Sequence, residues 1–459
     1  GEPDLVGLSG KITTLRWQQW TARKCRALLP NVFLISGGGL ATEFKGGLFN
    51  WIPELDAVGH SEGDDIILLA AYDVKHSSKN PGRLTDSPYY FGERDGRHRF
   101  VYAGDRPVDL DVLPFAAWDL LEEDVFGNRP LDWYIETPVW GLAANNSSAA
   151  PFEMKRSLTT VSSRGCPHAC AFCYRGAQGE RNWGIRSPEN LRKEAEWLIK
   201  TYNVDFIGFP DDNFAVSPKR CQALPAAFEG LAFRWGTHTR LDECTMNRLV
   251  PMAESGCIYI GVGAESAAKA TLYRMKKGGH IIRKGGTERM TMVGNFEFPT
   301  CMMEGIANCR EIGIHVNATW IMGYPGETLK DLKTSVAFIL WQKELYTQGL
   351  TSGTNAYENA LASVNQRMFT ATAYPGTSMF QDPEVQEMLT KYFGLSFLSS
   401  GEPMCDAALE RYVQELDDAT KVLHGPNGAP LNFSAMPEDV FLQARRHIDT
   451  GCIEKVLDV

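Results

Sequence analysis

Between residues 156 and 380 a two-part pattern recurs: a short apolar run, preceded or followed by a segment able to form a helix. The runs lie at 158–163, 205–209, 233–237, 258–262, 316–321 and 367–371. Strands spaced by helices read as βα units on a parallel sheet, because parallel neighbours need a crossover long enough to hold a helix. Such a sheet presents its chemistry at the C-terminal ends of the strands, so the loops after these six runs are where function is sought. Six units are too few to close a standard eight-stranded barrel.

The first run ends at Arg164-Gly165 and is followed at once by Cys166-Pro-His-Ala-Cys170-Ala-Phe-Cys173-Tyr174. Three thiols on one loop present soft ligands to one metal centre. Thiolates select zinc, Cu(I) or iron-sulfur clusters, and a structural zinc site is closed by four ligands. The next cysteine, Cys221, comes 48 residues after Cys173 and has no Cys-x-x-Cys partner. Three thiols without a fourth suggest a [4Fe-4S] cluster with one iron open to another ligand. The alternative is a zinc loop that borrows His168 or a distant cysteine.

The spacing Cys-x-x-x-Cys-x-Phe172-Cys resembles the motif of the radical S-adenosylmethionine (SAM) enzymes. That resemblance implies a cluster on Cys166, Cys170 and Cys173 whose open iron binds the amino and carboxylate groups of SAM. It also implies a partial (β/α)6 barrel, open where substrate enters. The other strand ends fit in register. Pro210-Asp211-Asp212-Asn213 stands where the family keeps an acidic loop near the SAM amino group, although it departs from the usual Gly-Gly-Glu. Gly263-Ala264-Glu265-Ser266 resembles the turn beside the ribose, and the 321–328 stretch, Ile-Met-Gly-Tyr-Pro-Gly-Glu-Thr, resembles the one that packs on adenine. Tyr374-Pro-Gly-Thr377 is similar to a loop of the cobalamin-dependent branch. By themselves, Pro-Gly-Glu-Thr and Tyr-Pro-Gly-Thr are only turns followed by N-caps. The resemblance implies Phe172, Tyr174, Asp211, Asp212, Glu265, Ser266, Ile321 and Gly323 as SAM contacts.

Residues 1–75 read as part of a doubly wound parallel α/β domain, with turns at Ser9-Gly10, Ser36-Gly37-Gly38-Gly39 and Ser61-Glu62-Gly63-Asp64. Read as residues, these are tight βα connections or sites of close approach to a ligand. Their order resembles the cobalamin-binding domain that precedes one class of radical SAM enzymes, and it implies Ser9, Gly10, Ser36, Gly37, Gly38, Glu62 and Gly63 as cobalamin contacts. No Asp-x-His occurs in the sequence. The chain opens at Gly1 almost inside a strand, so this domain is expected to be N-terminally incomplete.

A Pro- and Gly-rich stretch at 76–155 reads as a linker, in which Trp118, Trp133, Tyr134 and Trp140 are expected to pack against the domains. The radical SAM core is expected at 156–380 and a helical C-terminal region at 381–459. Cys301, Met302, Met303 and Cys309 fall on one helical segment and are read as core. No residue is singled out as the catalytic group.

Lys plus Arg number 46 against 56 Asp plus Glu, a net charge of -10 that argues against a nucleic-acid partner. No run of about 18 apolar residues offers a transmembrane segment. Eleven cysteines without a dense disulfide framework fit a reducing cytoplasm. The resemblance implies a cobalamin-dependent methyltransferase acting on an unactivated carbon of a small-molecule or lipid substrate, with an electron donor such as flavodoxin or ferredoxin. A cobalamin-dependent radical cyclisation, rearrangement or oxidation is the alternative, and a non-catalytic Fe-S or cobalamin-binding protein a third. Methylthiolation is disfavoured because the N-terminal region holds only Cys25.

Overall fold

A computed structural model describes residues 2–77, 85–105, 107, 109–136, 155–174, 183–284, 286–418, 420–425 and 428–459. Trp140 lies outside the described residues. The chain divides into two compact units: residues 1–107, 171–180 and 372–431 form the first, and 108–170, 181–371 and 432–459 the second.

The first unit is built on β1 (Leu5–Ser9), α1 (Leu15–Leu28), β2 (Phe33–Gly37), α2 (Gly38–Phe44), β3 (Ala57–Ser61), α3 (Gly63–Ser77), β4 (Tyr90–Arg94) and β5 (Arg97–Gly104). Its sheet runs β1-β2-β3-β5-β4, parallel except for β4, which pairs antiparallel with β5. The sheet thus continues beyond residue 77, into the stretch whose composition suggested a linker. Asp95-Gly96, both at positive φ, closes the β4–β5 hairpin, the two-residue turn that matches strand twist. Buried Phe100 and Tyr102 on β5 pack with Ile35, Ala57, Ile66 and Ala70. Their apolar area explains why the hairpin joins the sheet.

Gly38 has φ +79, and a Cβ there would lie 2.6 Å from Gly10 O and 2.9 Å from Gly10 N. Gly38→Ala is expected to cost roughly 1–3 kcal/mol, since an L side chain meets both strain and backbone. Gly63, with nothing within 4 Å of its Cβ position, opens α3, and Gly63→Ala is expected to be neutral or stabilising by roughly 0.4–1 kcal/mol. Urea unfolding should show a lowered midpoint for Gly38→Ala and an unchanged or raised one for Gly63→Ala.

In the second unit α4 (Pro130–Glu136) buries Leu131 and Ile135, and leaves Trp133 80% and Tyr134 59% exposed, so those two aromatics are not packed as expected. The parallel sheet follows as β6 (Ser157–Thr159), β9 (Phe206–Phe209), β10 (Arg234–Arg240), β11 (Cys257–Glu265), β16 (His315–Met322) and β17 (Met368–Thr370), neighbours in that order. Two-stranded hairpins (β7 Ser163–Arg164 with β8 Gly184–Ile185, β12 Arg283–Lys284 with β13 Thr287–Glu288, and β14 Met290–Val293 with β15 Phe296–Pro299) are inserted between them. All six runs read from the sequence are strands of this half-barrel sheet.

Two of the helices between strands start on local side-chain caps. In α5 (Pro188–Tyr202) the Ser187 side chain accepts from Asn190 N and Pro188 takes the first position. The helix at Leu329–Thr347 opens with a reciprocal capping box between Thr328 and Asp331. The Thr300–Ile312 helix buries Met302 and Cys309, as expected of core residues, while Cys301 and Met303 are only half-buried. Beyond residue 380, the Pro383–Phe393 and Ala407–Gln414 helices belong to the first unit and Glu438–Asp449 to the second. Among the described residues no helix is long and apolar enough to cross a membrane.

Candidate functional site at the cysteine loop

Strand β6 delivers the chain to Ser162, and two adjacent acids from the end of β9 grip residues 162–165. Asp211, buried, accepts from Ser162 N at 2.8 Å, from Ser163 Oγ at 2.6 Å and from Ser162 Oγ. Asp212 accepts from Gly165 N at 3.1 Å. Arg220 stands behind them, donating to Ser162 O at 3.0 Å and Ser162 Oγ at 2.8 Å, with its guanidinium 4.5 Å from the Phe214 ring centre. Burial pulls the Arg220 pKa down and the neighbouring Asp211 charge pushes it back up. Both acids therefore fix the backbone that leads into Cys166.

Cys166 and Cys170 belong to the second unit, half-buried. Asn213 Nδ2 lies 3.9 Å from Cys166 Sγ and Arg240 Nη1 3.5 Å from Cys170 Sγ. Burial raises the Cys166 thiol pKa, and Arg240 and Asn213 oppose that rise. His168, the candidate fourth zinc ligand, has Nε2 3.3 Å from Glu243 Oε1 and its ring 4.9 Å from that of His280. Cys221 is fully buried on the Pro218–Phe228 helix, its thiol pushed up to about 11 by burial. Among the described residues no three His, Cys, Asp or Glu side chains are grouped as metal ligands. The case for a metal centre rests instead on the donor set: thiols at a strand end that meet N–H donors, as sulfurs carrying negative charge require.

The second unit engages the other expected SAM contacts in its own bonds. Glu265 ends β11 at φ +65, its carboxylate 3.3 Å from the ammonium of buried Lys277, which also donates to Gly263 O at 2.5 Å. Ser266 Oγ accepts from Ala268 N at 3.1 Å and lies 3.2 Å from Ser335 Oγ. Ile321, half-buried, pairs in register with Phe369. Gly323, at φ +79, donates its N–H to Glu327 Oε2 at 2.6 Å, and a Cβ there would lie 2.8 Å from the Phe441 ring.

Residues 171–180 cluster with the first unit and carry Phe172, Cys173 and Tyr174. Phe172 is half-buried and Cys173 exposed. The Tyr174 hydroxyl donates to Gly39 O at 3.4 Å and also bonds the Glu43 carboxylate, whose pKa is raised chiefly by burial. Gly376, at φ +82, sits where a side chain would strike both Glu43 and Tyr174. The Tyr-Pro-Gly-Thr loop is thus shaped to admit the tyrosine that follows the third cysteine.

The glycine turns of this unit meet at adjacent strand ends. Gly10 N donates to Gly37 O at 3.4 Å, Leu40 N to Gly10 O at 3.3 Å, and Ser61 N to Thr42 Oγ1 at 3.0 Å. The Ser36 hydroxyl is spent on Gln18 Oε1 at 2.6 Å, buried within the unit. Gly38 is crowded by the Gly10 backbone, and Gly10 by the Thr14 side chain, which a Cβ there would strike. Ser9 and Gly63 are exposed, and Gly37 and Glu62 half-buried. A cavity of about 1190 Å³ opens beside Leu5, Arg26, Phe33 and Asp56, at the opposite, N-terminal end of β1 and β2.

Residues 160–339 match the family model described as Radical SAM superfamily. That stretch is a radical SAM domain. An uncharacterized methyltransferase of Pyrococcus horikoshii, PH0819, is 24% identical over 383 residues, covering 83% of this chain and 69% of its own length. The anaerobic magnesium-protoporphyrin IX monomethyl ester cyclase of Cereibacter sphaeroides is 21% identical over 408 residues, covering 87% of this chain and 56% of its own length. The radical SAM methyltransferase TsrM from Kitasatospora setae, solved with cobalamin and a [4Fe-4S] cluster bound, has the same fold. The TM-score is 0.57 at 15% identity, over 99% of this chain and 80% of that one. The radical SAM match begins just after β6 and ends inside the Leu329–Thr347 helix, so it spans the cysteine loop and the 321–328 turn but stops short of β17.

Sequence reasoning missed Arg240, Asp242 and Glu243. The run at 233–237 was ended before the polar residues His238-Thr239-Arg240, yet β10 continues to Arg240. An Arg-x-Asp pair at a strand end is the signal that could have found them.

Proposed function

We propose that this chain is a radical SAM enzyme that binds a [4Fe-4S] cluster through Cys166, Cys170 and Cys173 and, together with cobalamin, methylates an unactivated carbon of a small-molecule or lipid substrate. The observation that carries the reading is the pair of thiols at the first strand end of a six-stranded parallel sheet, met by Arg240 and Asn213 N–H groups. When bound, the reduced cluster would supply the electron that cleaves SAM to methionine and a 5′-deoxyadenosyl radical, and methylcobalamin the methyl group.

The chain's own share is positioning. Asp211 and Asp212 fix the backbone entering Cys166, and Lys277 holds the Glu265 carboxylate at the end of β11. Gly323 and the buried Glu327 fix the turn after β16. On the first unit, the strand-end turns Ser9-Gly10, Ser36-Gly37-Gly38 and Glu62-Gly63 are the positions that would meet cobalamin, with the Ser36 hydroxyl already bonded to Gln18. The electron would come from a small reductant protein such as flavodoxin or ferredoxin. The similarity to the cyclase over most of the chain supports a radical cyclisation as the second reading.

Anaerobic reconstitution with iron and sulfide, followed by SAM and dithionite, tests the proposal. The wild type should release 5′-deoxyadenosine, and S-adenosylhomocysteine as well if it methylates. Cys173→Ala should reduce both to background. Release of 5′-deoxyadenosine without S-adenosylhomocysteine, in the presence of cobalamin and substrate, would favour cyclisation. An intact cluster that forms neither product would rule out catalysis.

A further inference from the structure

Arg240 is the last residue of β10 and is buried, where a guanidinium is costly unless its donors are matched. Asp242, two residues on, binds it at two points: Nε to Oδ1 at 2.9 Å and Nη2 to Oδ2 at 3.2 Å. This fork fixes the guanidinium plane and leaves Nη1 directed at Cys170 Sγ, 3.5 Å away. Asn213 is held with equal definition. Thr239 Oγ1 accepts from Ala215 N at 3.3 Å and has two acceptors in reach of its own proton, Asn213 Oδ1 at 2.8 Å and Glu243 Oε2 at 3.1 Å. The amide nitrogen is then the atom that faces Glu243 Oε1 at 3.2 Å and Cys166 Sγ at 3.9 Å. One strand end and the turn after it thus supply Thr239, Arg240, Asp242 and Glu243, and these orient a separate donor toward each of two thiols.

We infer that Arg240 and Asn213 are positioning residues for electron transfer: two N–H donors that draw charge from the Cys170 and Cys166 sulfurs and raise the reduction potential of the group those sulfurs hold. The inference rests on the proposal that this group is a [4Fe-4S] cluster. Reduction adds one negative charge to the cluster and its thiolates, and a donor bonded to sulfur stabilises the reduced state more than the oxidised one. The acids alone would work in the opposite sense. Their place here is explained by the donors they hold, because each acid bonds the side chain that turns an N–H toward sulfur.

Wild type, Arg240→Gln, Arg240→Lys and Asn213→Ser would be reconstituted anaerobically with iron and sulfide, assayed for both elements, and titrated reductively while the reduced-cluster EPR signal is followed. At the wild-type midpoint, the reduced-to-oxidised ratio of Arg240→Gln should be lower by roughly tenfold, about 59 mV for one electron. Asn213→Ser should shift the same way by less, and Arg240→Lys should recover part of the loss. Should Arg240→Gln take up no iron, the other two variants decide by the same criterion. Full iron content with unshifted midpoints would overturn the inference and leave the cluster standing. A wild type that binds no cluster would overturn both.

Discussion

Asp211→Ala is expected to destabilise the second unit by about 3–5 kcal/mol and to lower iron uptake on reconstitution. The magnitude is that of removing one buried acceptor shared by three donors, at about 1–3 kcal/mol for each buried donor left unsatisfied. Without the carboxylate, Ser162 N, Ser162 Oγ and Ser163 Oγ lose their common acceptor, and the buried Arg220 guanidinium loses an opposing charge that favours its ionised form. Asp211→Asn keeps one acceptor but no charge, and should cost about half as much. Asp212→Asn, at an exposed site with one bond to Gly165 N, should cost under about 1 kcal/mol. Urea unfolding of the apo chains, with iron content after reconstitution, checks the order. Wild-type stability and iron content in Asp211→Ala would refute the gripping role. An unaltered fold with a raised KM for SAM in Asp211→Asn would instead favour the contact with the SAM amino group that the sequence implies.

This prediction marks where residue type stopped being informative. The six strands of the second unit were readable because each is a short apolar run between segments able to form a helix, and burial on both faces demands that composition. The Ser187-Pro188 and Thr328 helix starts were equally plain, since a cap is a local bond. Acids at a strand end, however, could face a ligand or the neighbouring loop, and sequence does not separate the two. In Asp211 the three donors come from residues 48 and 49 positions earlier in the chain.

The same limit explains the first unit. Its strand-end glycines were correctly located, but Gly38 is small because the Gly10 backbone approaches it and Gly10 because Thr14 does, contacts within the fold that sequence does not separate from contact with a ligand. The β4–β5 hairpin was obscured by surrounding prolines and glycines, although its Asp95-Gly96 turn is a strong hairpin signal. Arg240 escaped because charged residues at the end of a strand look like loop. Only the bidentate bond to Asp242, visible in three dimensions, shows that this arginine is fixed and buried.

Glu327 supplies a prediction that needs no cofactor. It is fully buried, accepts from Gly323 N at 2.6 Å through Oε2, and its Oε1 has no hydrogen-bond partner among the described residues. Burial pushes its pKa up to about 8, with the Asp331 charge adding to the rise and the Gly323 N–H opposing it. At neutral pH the carboxyl is therefore mostly protonated in the folded chain and ionised in the unfolded one. The folded state binds the extra proton between the unfolded value of 4.5 and about 8. With more protons bound in the native state, stability falls as pH rises through that window. The ceiling for the whole window is about 5 kcal/mol, from roughly 3.5 pH units at 1.36 kcal/mol each. Glu327→Gln keeps the acceptor for Gly323 N and has no charge to bury. It should be close to wild type in stability at pH 5 and more stable than wild type by several kcal/mol at pH 8.5. Urea midpoints measured from pH 5 to 9 would show converging curves at the acid end, whereas parallel curves would mean that the carboxyl does not carry the proton assigned to it.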